Sequence, residues 1–166
     1  MDAKPILGRG KVNLTDMTES LLNRPATITS SLPEALPASG NRKVIQMSIT
    51  FQPSDLFEGE LDKSLLGPPL ADVIGKEIPT RMAIPFTSDD SRILSGVWEA
   101  DPGLSRWEFL ERGEAIHVLE GRMVVTEDGG EPVSVEAGTS AIFPIGWQGT
   151  WEIHERIRKF FVIFTR

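Results

Sequence analysis

The feature that most constrains the fold is a series of short segments, rich in β-branched and aromatic residues, that fills the second half of the chain. From Arg81 onward these segments read RMAIPF, RILSGVWEA, RWEFL, EAIHVLEG, RMVVTE, EPVSV, TSAIF, TWEIH and IRKFFVIFT. Turn sequences such as DPG, EDGG and EAG separate them, and these suit tight hairpins and corners. Many short strands at close, even spacing are typical of antiparallel sandwiches and barrels. The sequence therefore predicts an all-β chain folded as a small antiparallel β-barrel or jelly roll.

The first half of the chain has a different character. Residues 1–43 contain no aromatic residue and mix Pro, Ser, Ala and Gly with little periodicity. Such a segment can bury little apolar surface, so we expect an N-terminal arm that is extended or partly disordered. VIQMSITF, from Val44 to Phe51, alternates apolar and polar residues and is predicted to be a strand. Between Gln52 and Pro79, frequent Pro and Gly exclude a long helix, although short helical turns are possible. Residues 44–166 are predicted to form a single barrel domain.

Composition excludes several classes of protein. The net charge is −7 and no basic run is present, whereas nucleic-acid binders neutralise phosphates with Lys and Arg, so no nucleic-acid partner is expected. No apolar run approaches the roughly 20 residues of a membrane span, and the N-terminus lacks a secretory signal, so we expect a cytoplasmic protein without a membrane partner. The lack of cysteine removes disulfides, thiolate metal sites and cysteine nucleophiles.

Two stretches resemble a known family. GVWEADPGLSRWEFLERGEAIHVLEG and GTSAIFPIGWQGTWEIHERIRK contain Gly-Val-Trp-Glu, Arg-Trp, Leu-Glu-Gly, Phe-Pro-x-Gly and Gly-Thr-Trp-Glu elements at matching spacings. Residues 94–165 resemble a cupin, a small jelly-roll barrel, and more narrowly the cupin domain of (S)-ureidoglycine aminohydrolase and its mostly uncharacterised relatives. The resemblance implies a barrel whose mouth holds the functional site, with residues 94–165 as the motif-bearing core.

The usual metal ligands of that family are largely missing. The first cupin motif has two histidines one residue apart, then a glutamate after three or four residues, and a glycine after six more. Glu114 and Gly121 fit its last part. The histidine positions fall on Trp107 and Phe109, or on Glu108 and Leu110 with the shorter gap.

The second cupin motif supplies one histidine three residues after the glycine of a Pro-x-Gly turn. Pro144 and Gly146 form that turn here, and the histidine position is Gly149. Because three of the four usual ligands are absent, no metal and no other cofactor is expected.

The two histidines of the chain do not restore a metal site. Residues an even number apart share a face of a strand. His117 is three residues from Glu114, and His154 is five residues from Gly149, so both should point away from the predicted ligand positions unless a bulge inverts the strand. One carboxylate is a poor site for a transition metal, which usually takes at least three protein donors.

The same face-sharing argument predicts a pocket. On the cupin scaffold, the inward side chains converge at the barrel mouth, and they would line an aromatic cavity around one carboxylate, formed by Trp107, Phe109, Glu114, Trp147, Gly149 and Trp151. Gly149 frees volume where an imidazole would lie. Burial among indole rings disfavours a charged carboxylate, so Glu114 is a candidate acid–base group, or a binding group for an amine aided by cation–π contacts. The alternative is that the aromatic residues are simply the packed core and that Glu114 pairs with Arg106 or Arg112.

Three functional classes follow. The favoured one is a protein that binds a small polar or amine-bearing molecule in the barrel without the usual metal. The second is an enzyme, either a metal-dependent aminohydrolase or a metal-free isomerase, epimerase or lyase that uses Glu114. The third is a structural or interaction module.

Strand composition also bears on assembly. Opposite Glu114, the segment EAIHVLEG carries Ala115, His117 and Leu119, and the last strand is apolar on both faces. Strands that are apolar on both faces need cover from outside a small barrel. A homodimer is therefore expected.

Overall fold

The computed structural model describes residues 49–53 and 61–166. These residues form nine β-strands and no helix, which confirms the predicted all-β jelly roll. The strands are β1 (Asp62–Leu65), β2 (Asp72–Ile74), β3 (Pro79–Thr87), β4 (Ile93–Ala100), β5 (Gly103–Glu108), β6 (Arg112–Glu127), β7 (Val133–Glu136), β8 (Ser140–Phe143) and β9 (Gln148–Thr165). Within the described part of the chain, no helix has the length and apolarity of a membrane span.

The two long strands, β6 and β9, organise the sheet. β9 pairs along one edge with β6, and along the other with β5 near its start and β4 near its end. The strands β1, β3, β4, β9, β5 and β2 are neighbours in that order. β7 and β8 pair with the edge of β6 that faces away from β9. Every pairing is antiparallel. One curled sheet therefore wraps around a single interior.

Alternation along the strands explains which residues fill that interior. On β9 the odd-numbered residues from Gly149 to Ile153 and from Ile157 to Ile163 are buried, and on β6 Glu114, Ile116 and Val118 are buried. This is the period-2 pattern of strands that pack one face against a core. The core that results is almost wholly apolar and includes all four tryptophans. Arg112, Glu114 and Lys159 are the charged residues that this alternation directs inward.

Two predicted breaks, between EAIHVLEG and RMVVTE and between TWEIH and IRKFFVIFT, are continuous strand in the structure and lie in β6 and β9. The Leu-Glu-Gly turn lies within β6, where the register with β9 shifts between Val118 and Met123. Gly121 adopts a φ of +81° there, and a Cβ at this position would collide with the carbonyl oxygen of Arg156. Only glycine fits such a position, so Gly121 permits a bulge inside the strand.

The section before β3 also differs from expectation. β1 and β2 are strands that lie between Gln52 and Pro79, where short helical turns were considered possible. Residues 49–51, the described end of the predicted strand Val44–Phe51, have no strand pairing, and Ile49 is exposed. The rest of that strand and the predicted arm, residues 1–43, lie outside the described residues. These two segments form strands because each pairs with the edge of another strand, β1 with β3 and β2 with β5.

Candidate functional site

The predicted aromatic residues lie together, packed against one another. Trp107, Phe109, Trp147 and Trp151 are all buried. The rings of Trp107 and Trp151 stack with centroids 4.1 Å apart, and Trp107 also stacks on Phe109 at 5.8 Å. Offset stacking of this kind adds to the stabilisation that burial alone gives. This part of the interior therefore has the character of an aromatic core.

The position of Gly149 is tightly filled. A Cβ added there would collide with the carbonyl oxygen of Thr126 and would lie 2.6 Å from a ring carbon of Trp147. The indole of Trp147 thus occupies the volume that Gly149 was expected to leave for a ligand. Glycine is required here because the neighbouring strand and this ring approach the backbone closely.

An open cavity lies on the other side of Trp107. The space inside it that the centre of a water-sized molecule can reach is about 30 Å³, and the wider space of about 440 Å³ includes open solvent. The apolar part of its lining is Leu70, Met82, Ile84, Leu94, Trp98, Trp107, Phe161 and Ile163, and the charged part is Arg112, Glu114 and Lys159. Of the predicted pocket residues, Trp107 and Glu114 line this cavity, whereas Phe109, Trp147, Gly149 and Trp151 do not. Apolar walls with a few polar groups are the usual make-up of a small-molecule site.

A buried ion pair forms the polar end of the cavity. The Nζ of Lys159 donates a hydrogen bond to Oε1 of Glu114 at 2.6 Å, and the two side chains are 2% and 4% exposed. Lys159 reaches Glu114 from β9, where its backbone lies opposite Val118 of β6. The pair therefore links two strands across the interior surface of the sheet.

Aromatic rings surround the lysine ammonium. Its nitrogen lies 4.4 Å from the ring centroid of Trp151, 4.8 Å from that of Trp98 and 5.9 Å from that of Trp107. Cation–π attraction of this kind strengthens when the cation is desolvated. The combination of carboxylate and indoles that was predicted to hold an amine ligand is therefore occupied by an amine of the chain itself.

Burial perturbs the two cations of the cavity. Desolvation lowers the pKa of Lys159, and the positive charge of Arg112 acts in the same direction, although Glu114 opposes both effects. Desolvation also lowers the pKa of Arg112, again opposed by Glu114. Arg112 donates a hydrogen bond to the carbonyl oxygen of Leu70 at 3.3 Å and lies 5.2 Å from the ring centroid of Phe109. Three charged groups thus interact within one low-dielectric region.

The predicted arginine partners of Glu114 have other principal contacts. The guanidinium of Arg106 forms a bidentate, hydrogen-bonded ion pair with the carboxylate of Asp128. Arg112 influences Glu114 through space, while its guanidinium contacts Leu70 and Phe109. The hydrogen-bonded partner of Glu114 is Lys159, which the sequence argument did not consider.

A signal for Lys159 was present in the sequence. Arg158 and Lys159 are adjacent in a strand, so their side chains must point to opposite faces. Lys159 is an even number of residues from Trp151 and from Phe161, so its side chain is expected on the same, interior face of the strand as theirs. The expectation that the last strand is apolar on both faces left out this charged residue.

A second buried carboxylate lies on the outer face of β4. Glu99 is opposite Arg81 on one neighbouring strand and Arg158 on the other. Arg158 donates to its Oε1 at 3.0 Å, and Arg156 donates to its Oε2. Arg158 also bonds the carbonyl oxygen of Pro53 at 2.7 Å. This cluster ties the segment 49–53 to the sheet and is separated from the cavity by the sheet itself.

The histidines point outward, as their parity predicts. His117 is exposed, and its Nδ1 lies 2.9 Å from the hydroxyl of Ser140. His154 is exposed in the middle of β9, rather than at a strand end, and its Nε2 lies 3.8 Å from Oε1 of Glu152. Neither side chain reaches Glu114.

The donor set does not fit the metal of ordinary cupins. At the predicted ligand positions, Trp107 and Phe109 offer aromatic rings, Gly149 has no side chain, and Glu114 is hydrogen-bonded to an ammonium. Over residues 49–53 and 61–166, no group of three His, Asp or Glu side chains could hold a metal ion. A divalent cation beside Lys159 would also meet a like charge.

Comparisons with known proteins agree on the fold. Residues 87–161 match the EutQ-like cupin domain. A crystal structure of a protein of unknown function from Pseudomonas syringae pv. tomato superposes with a TM-score of 0.53 at 23% identity, over 62% of this chain and 43% of that one. The chain thus spans less than half the length of that relative.

Two further solved structures are more distant. The EutQ protein of Clostridium difficile gives a TM-score of 0.47 at 22% identity, over 53% of this chain and 69% of that one. Ectoine synthase from P. lautus gives a TM-score of 0.47 at 17% identity, over 57% of this chain and 69% of that one. No curated protein matches the sequence. The match of residues 87–161 to a cupin domain and the superposed fold both agree with the jelly-roll topology.

Proposed function

We propose that the protein binds a small polar molecule with an acidic or carbonyl oxygen in the cavity at Lys159, without a catalytic metal ion. The observation that carries this proposal is the hydrogen bonding of the lysine ammonium. It has three N–H donors, but among the described residues its single oxygen acceptor is Glu114 Oε1. Its other close contacts are ring faces. An oxygen of a ligand in the cavity could accept a hydrogen bond from the ammonium.

The other charged groups support an acidic ligand. Arg112 places a second positive charge in the cavity lining, so the three charged side chains there sum to +1 when ionised. Glu114 accepts the hydrogen bond of Lys159 with Oε1. A ligand with an acceptor beside a donor, such as a hydroxy acid, could therefore bridge Lys159 and Glu114.

This proposal narrows the class of ligand expected from the sequence. An amine-bearing molecule would have to displace Lys159 from Glu114 and the indoles, or bind beside it against like-charge repulsion. A small acid would meet the negative charge of Glu114 but also the positive charges of Lys159 and Arg112.

Catalysis remains the second candidate, because a buried lysine beside a carboxylate is also an acid–base pair. The metal-dependent aminohydrolase suggested by the narrower family resemblance has less support, since Trp107, Phe109 and Gly149 supply no ligand atoms. The structural-module alternative has no specific observation in its favour, because a solid core would not need an ion pair at an open cavity.

We also propose that two copies of the chain associate through the outer face of β8, β6 and β9. Ile142 on β8 is 71% exposed and lies opposite Ala115 on β6, which lies opposite Val162 on β9. This apolar row is continuous across three strands, and a second copy related by a twofold axis would cover it with the same residues.

Isothermal titration calorimetry at neutral pH tests ligand binding. Lactate, pyruvate and glycolate should bind, whereas ethanolamine should not. Lys159→Met should weaken binding by roughly ten- to a hundredfold, since a charge-assisted hydrogen bond contributes about 1.5–3 kcal/mol. Glu152→Gln, which alters an exposed carboxylate on the same strand, is the matched control and should bind normally. Tighter binding of the amine, or no binding by folded protein, would contradict the proposal.

A further inference from the structure

We propose that Lys159 acts as a nucleophile that forms an imine with the carbonyl group of a small oxo acid held in the cavity. This inference rests on the proposed function, since the same small acid must first enter the same cavity. It adds a covalent step and identifies the ligand class as an aldehyde or ketone with a carboxylate.

The first support is the position of the lysine. Lys159 is 2% exposed and forms part of the cavity wall, whereas Lys63 and Lys76 are exposed to solvent. A carbonyl compound in the cavity would therefore meet the Lys159 nitrogen directly. Reaction at the exposed lysines would lack any enclosing site.

The second support is activation of the amine. Only a neutral amine attacks a carbonyl carbon, and lysines become neutral more readily in apolar surroundings or near another cation. Lys159 has both, because it is desolvated and Arg112 lies in the same lining. Its pKa is correspondingly lowered.

The third support is a proton acceptor already in contact. Oε1 of Glu114 lies 2.6 Å from the Lys159 nitrogen and can take a proton from the ammonium. The freed electron pair on nitrogen attacks the carbonyl carbon, and the C=O π electrons move to oxygen, giving a carbinolamine once protons are redistributed. Glu114 then returns its proton to the carbinolamine oxygen, which leaves as water while the nitrogen lone pair forms the C=N bond. The sum is amine plus carbonyl giving imine plus water, with no oxidant or reductant required.

The fourth support is the set of aromatic rings around the Lys159 nitrogen. The protonated imine carries its positive charge on the former lysine nitrogen, 4.4 Å from the ring centroid of Trp151 and 4.8 Å from that of Trp98. The cation–π contacts of the ammonium would therefore be available to the product as well. Glu114 remains as its counter-ion.

The experiment is reductive trapping. The folded full-length protein is incubated with pyruvate or glyoxylate and cyanoborohydride, then digested and mapped by mass spectrometry. A reduced adduct should appear preferentially on Lys159 rather than on Lys63 and Lys76, because Lys159 lies in the cavity wall beside a proton acceptor and the lowered pKa of its amine favours the neutral form. Lys159→Arg, which keeps a positive charge beside Glu114, should abolish the adduct. Lys63→Arg should leave the adduct unchanged, and Glu114→Gln should slow its formation.

Binding of lactate, which has no carbonyl at the reactive carbon, separates the two proposals. If lactate binds but adducts form only on the exposed lysines or not at all, the imine is excluded and the binding function stands. If neither lactate binding nor a Lys159 adduct is observed, both proposals fail. If a Lys159 adduct forms in the wild-type protein, the inference stands even if the Lys159→Arg variant does not fold.

Discussion

Lys159 on β9 donates a 2.6 Å hydrogen bond to Glu114 on β6, and both side chains are almost completely buried in the barrel. Removing charged groups from water is costly, and mutual attraction offsets that cost only when both partners are present. The pair therefore gives distinct expectations for single and double replacements.

Glu114→Gln should lower the free energy of unfolding by about 3 kcal/mol, because Lys159 keeps its buried charge but loses its counter-ion. Urea denaturation followed by tryptophan fluorescence measures the change. Glu152→Gln should stay within about 0.5 kcal/mol of the wild type, as expected for an exposed side chain. The double variant Glu114→Gln/Lys159→Met should recover much of the loss. Additive single effects would show that the two residues are not coupled.

The stability of the folded protein should also depend on pH through Lys159. Its pKa is lowered in the folded state from the ordinary 10.5, chiefly by desolvation. Between the lowered value and 10.5 the unfolded chain binds more protons, so stability rises with pH across that window. The difference in unfolding free energy between the wild type and Lys159→Met should therefore increase with pH there. A flat profile for Lys159→Met would exclude a lowered pKa.

Gly121→Ala should be strongly destabilising, because the added Cβ would meet the backbone of Arg156 and the residue has a φ of +81°. Gly129 has a similar φ of +75° but open space around it. Gly129→Ala should therefore cost about 1 kcal/mol for the left-handed conformation alone, and Gly121→Ala roughly 3 kcal/mol with the strain of the collision added. Thermal unfolding of the two variants compares them. Equal losses of stability in the two variants would mean that the backbone of the bulge in β6 shifts to accommodate the added Cβ.

Phe109→Ala distinguishes core from pocket. Phe109 is fully buried and stacks on Trp107 and Phe143, so its truncation should cost about 3–5 kcal/mol of stability. Acid binding should persist, because Phe109 does not line the cavity. Val133→Ala, at an exposed strand position, serves as the control for stability. A variant that stays stable but no longer binds would place Phe109 in the binding site.

Ile142→Lys should dissociate the proposed dimer, since it puts a charge into the apolar row with Ala115 and Val162. Light scattering coupled to size-exclusion chromatography should then report a monomer. Leu110→Lys changes another exposed apolar residue and should leave the dimer intact. A monomeric wild-type protein in dilute solution would contradict the proposal.

The sequence by itself determined the strands from β3 to β9, apart from the breaks predicted inside β6 and β9, and the inward-facing residues of β6. Alternation along a strand is a local property, so the positions of Glu114, Ile116 and His117 followed without knowledge of the rest of the chain. The replacement of the usual histidine positions by Trp107, Phe109 and Gly149 was equally visible.

Tertiary structure decided what fills the interior. Whether an inward aromatic ring packs in the core or lines a cavity depends on what faces it across the barrel, and no local pattern contains that information. Trp147 occupies the space beside Gly149 because β6 approaches it there, through Thr126. The partner of Glu114 was likewise set by the curl of the sheet, which brings Lys159, 45 residues later in the chain, into hydrogen-bonding contact.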